Sequence, residues 1–152
     1  MVIPSTRLGQ LDVPDDLIIK FPAGLPGFKD ETIFALVPHG NNSPFYFLQS
    51  AYDPDLTFLV VEPFSFFSDY EFELSDENQR DLGVVDLSQV KVYSIATVKD
   101  KVEEMTANLI APIIVNWETK TARQVVLEQV PYTTRHRLFP QGFPKSVGGG
   151  AK

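Results

Sequence analysis

Short hydrophobic runs recur along the chain, and clusters of proline, glycine, asparagine and aspartate separate them. A spacing of roughly eight to twelve residues between such runs is typical of the strands of a β-sandwich or β-barrel. The pattern therefore predicts an all-β fold, a compact antiparallel β-barrel or sandwich-like single domain. The predicted strands are residues 7–13, 17–21, 32–37, 45–50, 56–62, 70–74, 90–98, 106–117 and 123–127.

Five of these strands carry more specific expectations. Residues 45–50 and 56–62 are apolar on both faces, so they are predicted to be central strands. Residues 7–13 and 17–21 are separated by a turn composition, and we predict that they pair with each other. In residues 70–74 acids alternate with apolar residues, which predicts a half-exposed strand near a sheet edge.

One helix is predicted, over about residues 75–82. Ser75 is a favourable N-cap, Asp76 and Glu77 lie in the first turn where they stabilise the helix dipole, and Gly83 is a typical terminator. The helix is expected to have about two turns.

Prolines and glycines mark two special places. Residues 21–28 read F-P-A-G-L-P-G-F, which predicts an ordered corner rather than a phosphate-binding loop, because a strand follows it and not a helix. Pro112 interrupts the apolar run 106–117 and cannot donate to a β-ladder, so that strand is predicted to be bulged or at an edge. The resulting gap near Asn108 is a candidate seat for a partner's chain.

The chain has 152 residues, which is a typical length for one domain. We assign residues 1–135 to the β-barrel domain and residues 136–152 to a flexible C-terminal tail, because apolar periodicity is lost there. The glycine-rich end of that tail resembles a linker added to the natural chain.

Aromatic residues are concentrated in one part of the chain, with ten of the eighteen lying between Pro44 and Phe72. The short segment 64–70 contains four that cannot all turn inward, and exposed aromatic clusters commonly mark contact sites. The net charge is −7, and residues 53–86 contain ten acids but only one base, Arg80. This acidic and aromatic stretch fits a surface for a basic protein partner, but composition alone equally fits an acidic face kept for solubility. The candidate partner-binding residues are Phe64, Phe66, Phe67, Asp69, Tyr70, Glu71, Glu73, Asp76, Glu77, Asp81 and Asn108.

The residues provide no constellation for catalysis or cofactor binding. There is no cysteine, and the two histidines, His39 and His136, do not make a zinc ligand set. No nucleophile elbow, zincin motif or phosphate loop occurs, so we predict neither an enzyme nor a cofactor or metal site. The acids among the aromatics disfavour direct binding of nucleic acid. No signal peptide or membrane span is recognisable, so a cytoplasmic location is expected.

Five blocks, taken in order and spacing, resemble the family of the flagellar assembly factor FliW. They are F-P-A-G-L-P-G-F (21–28), P-F-Y-F-L-Q-S (44–50), F-S-F-F-S-D-Y-E-F (64–72), N-L-I-A-P-I-I-V-N (108–116) and Q-V-V-L (124–127). The similarity covers about residues 3 to 130.

The resemblance implies a cytosolic bacterial protein with a β-barrel-like fold and no catalysis. It implies that the protein binds flagellin before export and, when free, binds the carbon storage regulator CsrA. Binding to CsrA would relieve repression of flagellin translation by non-competitive antagonism. We expect the two partners to be mutually exclusive and the free protein to be a monomer. The alternative is a non-catalytic β-barrel that binds a ligand or carbohydrate in a pocket lined by Phe64, Phe66, Phe67 and Tyr70.

Overall fold

The computed structural model describes residues 1–141, which form strands β1–β11, one α-helix and four short 3₁₀ helices. The strands are β1 (Val2–Ser5), β2 (Gly9–Asp12), β3 (Ile18–Lys20), β4 (Ile33–Pro38), β5 (Phe45–Ser50), β6 (Thr57–Val61), β7 (Val90–Thr97), β8 (Thr106–Ala107), β9 (Ile113–Asn116), β10 (Thr121–Gln124) and β11 (His136–Arg137). The helix α1 spans Asp76–Leu82. The 3₁₀ helices are Asp15–Leu17, Pro63–Ser65, Leu87–Gln89 and Val102–Glu104.

Seven of the strands close into a barrel in the order β3-β4-β5-β6-β7-β9-β10. All of their pairings are antiparallel except the closing one, in which Thr121 of β10 lies beside Lys20 of β3 in parallel. The N–H of Lys20 donates to the carbonyl of Lys120 at 2.8 Å across this seam. The prediction of an all-β barrel with one short helix is therefore confirmed.

The barrel interior is filled by apolar side chains. Phe21 and Phe34 meet edge to face with ring centroids 5.2 Å apart. The space left among the interior residues amounts to about 10 Å³, no more than a single water molecule needs. The interior is therefore a packed core and not a ligand cavity. The residues around this space are Ile19, Phe21, Leu36, Leu48, Val60, Tyr93, Ile113 and Val115.

The outer face of the sheet is also covered, by three smaller clusters. The hairpin of β1 and β2 packs on the barrel and forms the first cluster, which contains Ile3, Val13, Ala35 and Ala51. The long connection between β6 and β7 covers the other two, which we call the tyrosine cluster and the helix cluster. The tyrosine cluster contains Val61, Tyr70, Ala96, Met105, Ala107, Leu109 and Leu138. The helix cluster lies beneath α1 and contains Leu82, Val84, Ile114, Val125 and Leu127.

The strongest local patterns are confirmed in place. The predicted strands 32–37, 45–50 and 56–62 correspond to β4, β5 and β6, and β5 and β6 are central strands of the barrel sheet. In α1 the hydroxyl of Ser75 accepts the N–H of Asn78, and Gly83 ends the helix with φ of 68°. Asp76 and Glu77 occupy the first turn as expected.

The corner predicted over residues 21–28 is ordered. Leu25 and Phe28 exchange backbone hydrogen bonds across it. Gly24 has a φ of +65°, and a Cβ placed there would lie 2.5 Å from the carbonyl oxygen of Lys29. Only glycine fits this close approach, because an L side chain would meet rigid backbone.

One predicted strand pairing and one predicted strand are wrong. Residues 7–13 do not pair with 17–21, because β2 pairs with β1 while β3 pairs with β4 and β10. The turn composition between them forms the 3₁₀ helix Asp15–Leu17, which carries the chain from one sheet to the other. Residues 70–74 form no strand. Instead of a β-ladder, hydrogen bonds of the hydroxyls of Tyr70 and Tyr132 fix this segment.

The later strands differ from their predicted bounds. The run 106–117 is split at Pro112 into β8 and β9, both beside β7, so the strand is bulged and not at an edge. The predicted strand 123–127 starts earlier, at Thr121, and ends at Gln124. In β7 the side chains of Val90 and Val92 pack in the helix cluster, whereas Tyr93 belongs to the core inside the barrel.

The folded part of the chain extends past the predicted boundary at residue 135. His136 and Arg137 form β11, which pairs with β8. Leu138 is buried, and its N–H donates to the carbonyl of Met105 at 3.0 Å. The predicted start of the tail at residue 136 is therefore too early. Residues 142–152 of that tail lie outside the described residues.

Candidate partner-binding face

The connection from β6 to β7 carries most of the predicted contact residues. It begins with the 3₁₀ helix Pro63–Ser65, which turns the chain back over the outer face of the barrel. Phe66 packs against Phe45, with ring centroids 5.5 Å apart. Phe67 lies edge to face with His136 of β11 at 6.0 Å. Both phenylalanines are half-buried and thus attach the connection to the barrel.

Tyr70 belongs to the protein's own core. It is 4% exposed, and its hydroxyl donates to the carbonyl of Leu109 at 2.7 Å. Its ring packs edge to face on that of Tyr132, with centroids 4.8 Å apart. Burial raises the pKa of the Tyr70 hydroxyl, and the nearby Tyr132 adds to the effect. Tyr70 positions the connection and does not offer a contact surface.

Phe64 is the member of the aromatic group that is exposed to solvent. Half of its surface is accessible, although its ring also touches that of Tyr70, at a centroid distance of 5.5 Å. As expected, the segment does not turn all four of its aromatics inward, but Phe66, Phe67 and Tyr70 do pack on the protein itself. Met105, Leu109 and Leu138 provide an apolar surface for them, and these residues come from distant parts of the chain.

The six acids of this connection that were predicted as contact residues all face solvent. Within residues 1–141, only Asp81 of this set has an ion-pair partner, which is the guanidinium of Arg123. Uncompensated carboxylates on one side of a small domain produce a negative potential that attracts cations and basic proteins. The exposed acids are Asp69, Glu71, Glu73, Asp76, Glu77 and Asp81, and we call them the acidic face.

An open groove of about 930 Å³ runs beside the acidic face. One wall is formed by residues 71–76 and Asn78, and the other by residues 125–130, which follow β10. The sequence did not indicate the second wall as part of a site, because residues 123–127 were predicted to be an ordinary strand. The lining contains no lysine or arginine but four carboxylates, those of Glu71, Glu73, Asp76 and Glu128.

Asn108 shapes a loop. Its side-chain oxygen accepts the N–H of Ala111 at 3.0 Å. The gap between β8 and β9 is occupied by the same chain, since Leu109 and Ile110 donate to the carbonyl of Thr133, and Leu127 donates to that of Ile110. The expectation that this gap seats a partner's chain is therefore wrong for these backbone groups.

Other kinds of site find little support in the described part of the chain. Among residues 1–141 there is no group of three or more histidine and acidic side chains that could hold a metal ion. The aromatics required for a ligand pocket pack on the tyrosine cluster, so they do not form a concave wall. None of the described helices has the length and apolarity to cross a membrane.

Comparison with known proteins supports the resemblance found in the sequence. Residues 2–138 match the FliW protein family. The flagellar assembly factor FliW of Desulfitobacterium hafniense (strain DSM 10664 / DCB-2) is 49% identical over 152 residues, covering 100% of each chain. That of Bacillus subtilis (strain 168) is 42% identical over 138 residues, 91% of this chain and 96% of the relative. A crystal structure of the flagellar assembly factor FliW superposes with a TM-score of 0.84 at 37% identity, covering 93% of this chain and 99% of the other.

Proposed function

Because the chain belongs to the FliW family of flagellar assembly factors, we propose that it binds flagellin and, when free of flagellin, binds the translational repressor CsrA. Binding to CsrA relieves repression of flagellin mRNA by non-competitive antagonism. The protein acts in the cytoplasm as a chaperone and regulator, without catalysis and without contacting nucleic acid or a membrane.

The observation that supports this function best is the acidic face. Five of its six carboxylates have no ion-pair partner within residues 1–141. CsrA binds RNA, and proteins that hold RNA phosphates carry basic surfaces. An exposed negative surface attracts such a partner and repels the RNA that the partner binds.

Phe64 and the acidic face are the contact residues that the geometry favours. An exposed aromatic ring is a common anchor of a protein interface. Phe66, Phe67 and Tyr70 act indirectly, because they fix the connection on the barrel. Both partners are expected to use this region, since a standard interface takes about 800 Å² from each protein.

Size-exclusion chromatography of the purified proteins tests the proposal. Each partner alone should form a stable complex with this protein, which is a monomer when free. Flagellin added to the preformed complex with CsrA should release CsrA, and a stable ternary species would contradict a shared surface. If neither partner binds, the proposed function itself is wrong.

A further inference from the structure

We propose that the groove between residues 71–76 and 125–130 binds an extended, basic segment of a partner protein as an added β-strand that pairs with residues 126–128. This inference goes beyond the proposed function, because it concerns the mode of binding and applies to whichever protein carries the segment.

Residues 125–128 of this wall form an extended chain with one satisfied edge and one free edge. The N–H of Val125 donates to Pro112 at 2.9 Å, and that of Leu127 donates to Ile110 at 2.8 Å. In an extended chain, successive N–H groups point in opposite directions. The N–H groups of Val126 and Glu128 consequently point away from the barrel, and no backbone acceptor for them lies within residues 1–141.

Residues 125–128 of this free edge contain neither lysine nor proline, and their charged side chain is that of Glu128. Natural edge strands carry lysine, proline, a bulge or a covering element to prevent pairing with another chain. Residues 125–128 are V-V-L-E, and the side chain of Val126 is 65% exposed. Gln129 has a φ of 56°, which ends the extended conformation and limits the edge to a few residues. A short, open, apolar edge of this kind is suited to strand addition.

The opposite wall is also extended and unpaired. Phe72 and Leu74 are half-buried against the helix cluster, whereas Glu71 and Glu73 are exposed, which is the alternation of an extended chain. The N–H of Glu71 donates a hydrogen bond to the hydroxyl of Tyr132. Within the described residues, the backbone groups of Phe72 and Glu73 have no hydrogen-bond partner. The groove is therefore bordered by free peptide groups on both sides.

The charge of the groove identifies the occupant. Four carboxylates and no base line it, so an occupying segment gains from lysine or arginine side chains. A second copy of this chain would bring Glu128 of its own edge against these carboxylates, and like charges at that distance are unfavourable. A basic segment of another protein is the occupant that complements both the free edge and the charge.

Binding of a synthetic peptide to the full-length protein tests the proposal. The probe is a fluorescent peptide of about nine alternating lysine and valine residues, capped at both ends, and its affinity is measured by anisotropy. The Glu73→Lys/Glu128→Lys variant should weaken binding at least about tenfold. The control, Asp100→Lys/Glu104→Lys, changes the net charge equally at exposed positions outside the groove and should change the affinity less than about threefold.

A change in the probe separates strand pairing from simple charge attraction. Two isomers of the peptide carry N-methyl groups on alternate residues, in one register or the other, and keep its charge. At least one should bind about tenfold more weakly, since it cannot donate to the free edge. Binding of both isomers as tight as that of the unmethylated peptide, or insensitivity to the groove variant, would overturn the proposal.

Other occupants give distinct results. If a peptide with the sequence of residues 142–152 displaces the probe at equal concentration, the groove belongs to the chain's own C-terminal segment and the proposal is wrong. Light scattering that shows a dimer dissociated by the probe would assign the groove to a second copy and would equally overturn it. Flagellin or CsrA bound at full affinity by the groove variant, whose affinity for the probe is reduced, would preserve the proposed function and reject this mode of binding.

Discussion

The barrel interior and the outer groove differ in how completely the chain fills them. About 10 Å³ remains free among the interior side chains, whereas the groove is about 930 Å³ and opens to solvent. The interior is apolar, and the groove is lined by carboxylates and unpaired peptide groups. Complete packing stabilises one conformation, whereas free edges and uncompensated charges are stabilised only when a partner binds. Stability and recognition are thus assigned to different residues of the same small domain.

The same contrast separates two aromatics of one short segment. Tyr70 is 4% exposed and Phe64 is 50% exposed, although the two rings touch. A substitution at Tyr70 removes packing and a buried hydrogen bond, whereas one at Phe64 removes mainly surface that a partner can cover. The pair therefore separates effects on folding from effects on binding.

The largest effect is expected from the barrel interior. Phe34 is fully buried against Phe21, so Phe34→Ala should lower the free energy of unfolding by about 3–5 kcal/mol. Phe64→Ala is the matched control and should lower it by less than about 0.5 kcal/mol. Urea unfolding followed by fluorescence measures both. A loss below about 1 kcal/mol for Phe34→Ala would contradict the packed interior.

The next effect concerns the buried hydroxyl of Tyr70. Tyr70→Phe leaves the carbonyl of Leu109 without its partner in a buried site, which should cost about 1–3 kcal/mol near neutral pH. Urea unfolding at pH 8 measures this loss. An unchanged free energy of unfolding would show that the hydrogen bond contributes nothing.

The pH dependence of this variant provides a second test. Burial raises the pKa of Tyr70 above its ordinary value of 10.0, so the folded state favours the protonated hydroxyl. The resulting stability is complete below pH 10 and is lost as the pH rises above it. Above pH 10 the free energy of unfolding of the wild type should therefore fall more steeply than that of Tyr70→Phe. The difference between the two free energies should narrow. A gap that stays constant between about pH 8 and 11 would contradict the raised pKa.

Local sequence signals predicted the elements whose contacts are local. Ser75 and Gly83 defined the helix ends because caps depend on a few adjacent residues. The strands β4, β5 and β6 were predicted because their apolar runs pair with neighbours in sequence. The five ordered blocks identified the family even though most of their residues are strand or corner positions.

The sequence could not predict which side chains the outer clusters bury. The hydroxyl of Tyr70 donates to the carbonyl of Leu109, 39 residues later. No local pattern shows that residues so distant in sequence provide an apolar surface for this ring. The groove was missed for the same reason, since Glu73 and Glu128 lie far apart in sequence and meet only through the barrel. The pairing of β1 with β2 was missed because Val2–Ser5 is too short to show a period.

A smaller effect, limited to binding, is expected for Phe64. If this ring anchors a partner, Phe64→Ala should weaken binding of CsrA or flagellin about tenfold, since burying such a side chain is worth roughly 1.5–3 kcal/mol. Calorimetric titration measures the affinity, and an unchanged melting temperature shows that the fold is intact. Unchanged binding would place the anchor elsewhere.

The smallest expected effect concerns the proposed antagonism, in which this protein would weaken RNA binding by CsrA without occupying the RNA site. In an electrostatic mechanism the acidic face, held near the RNA, would raise the free energy of the RNA-bound state, and RNA would weaken the binding of this protein by the same factor. Charges act over about 8 Å at physiological salt, so the factor should fall several-fold between about 50 and 500 mM salt. Replacing Glu71, Glu73 and Glu77 by Lys should reduce this coupling factor by a similar amount and should change the affinity for flagellin less.

A purely conformational mechanism makes the opposite prediction. If CsrA is shifted to a shape that cannot grip RNA, the coupling factor depends on differential contacts and varies little with salt. The factor is obtained from the affinity of CsrA for RNA with and without this protein, each corrected for its own salt dependence. Because every carboxylate of the triple substitution is exposed and unpaired within residues 1–141, its effect on folding should be small. A coupling factor that stays flat across the salt range would reject the electrostatic mechanism, and the acidic face would then act by attracting CsrA alone.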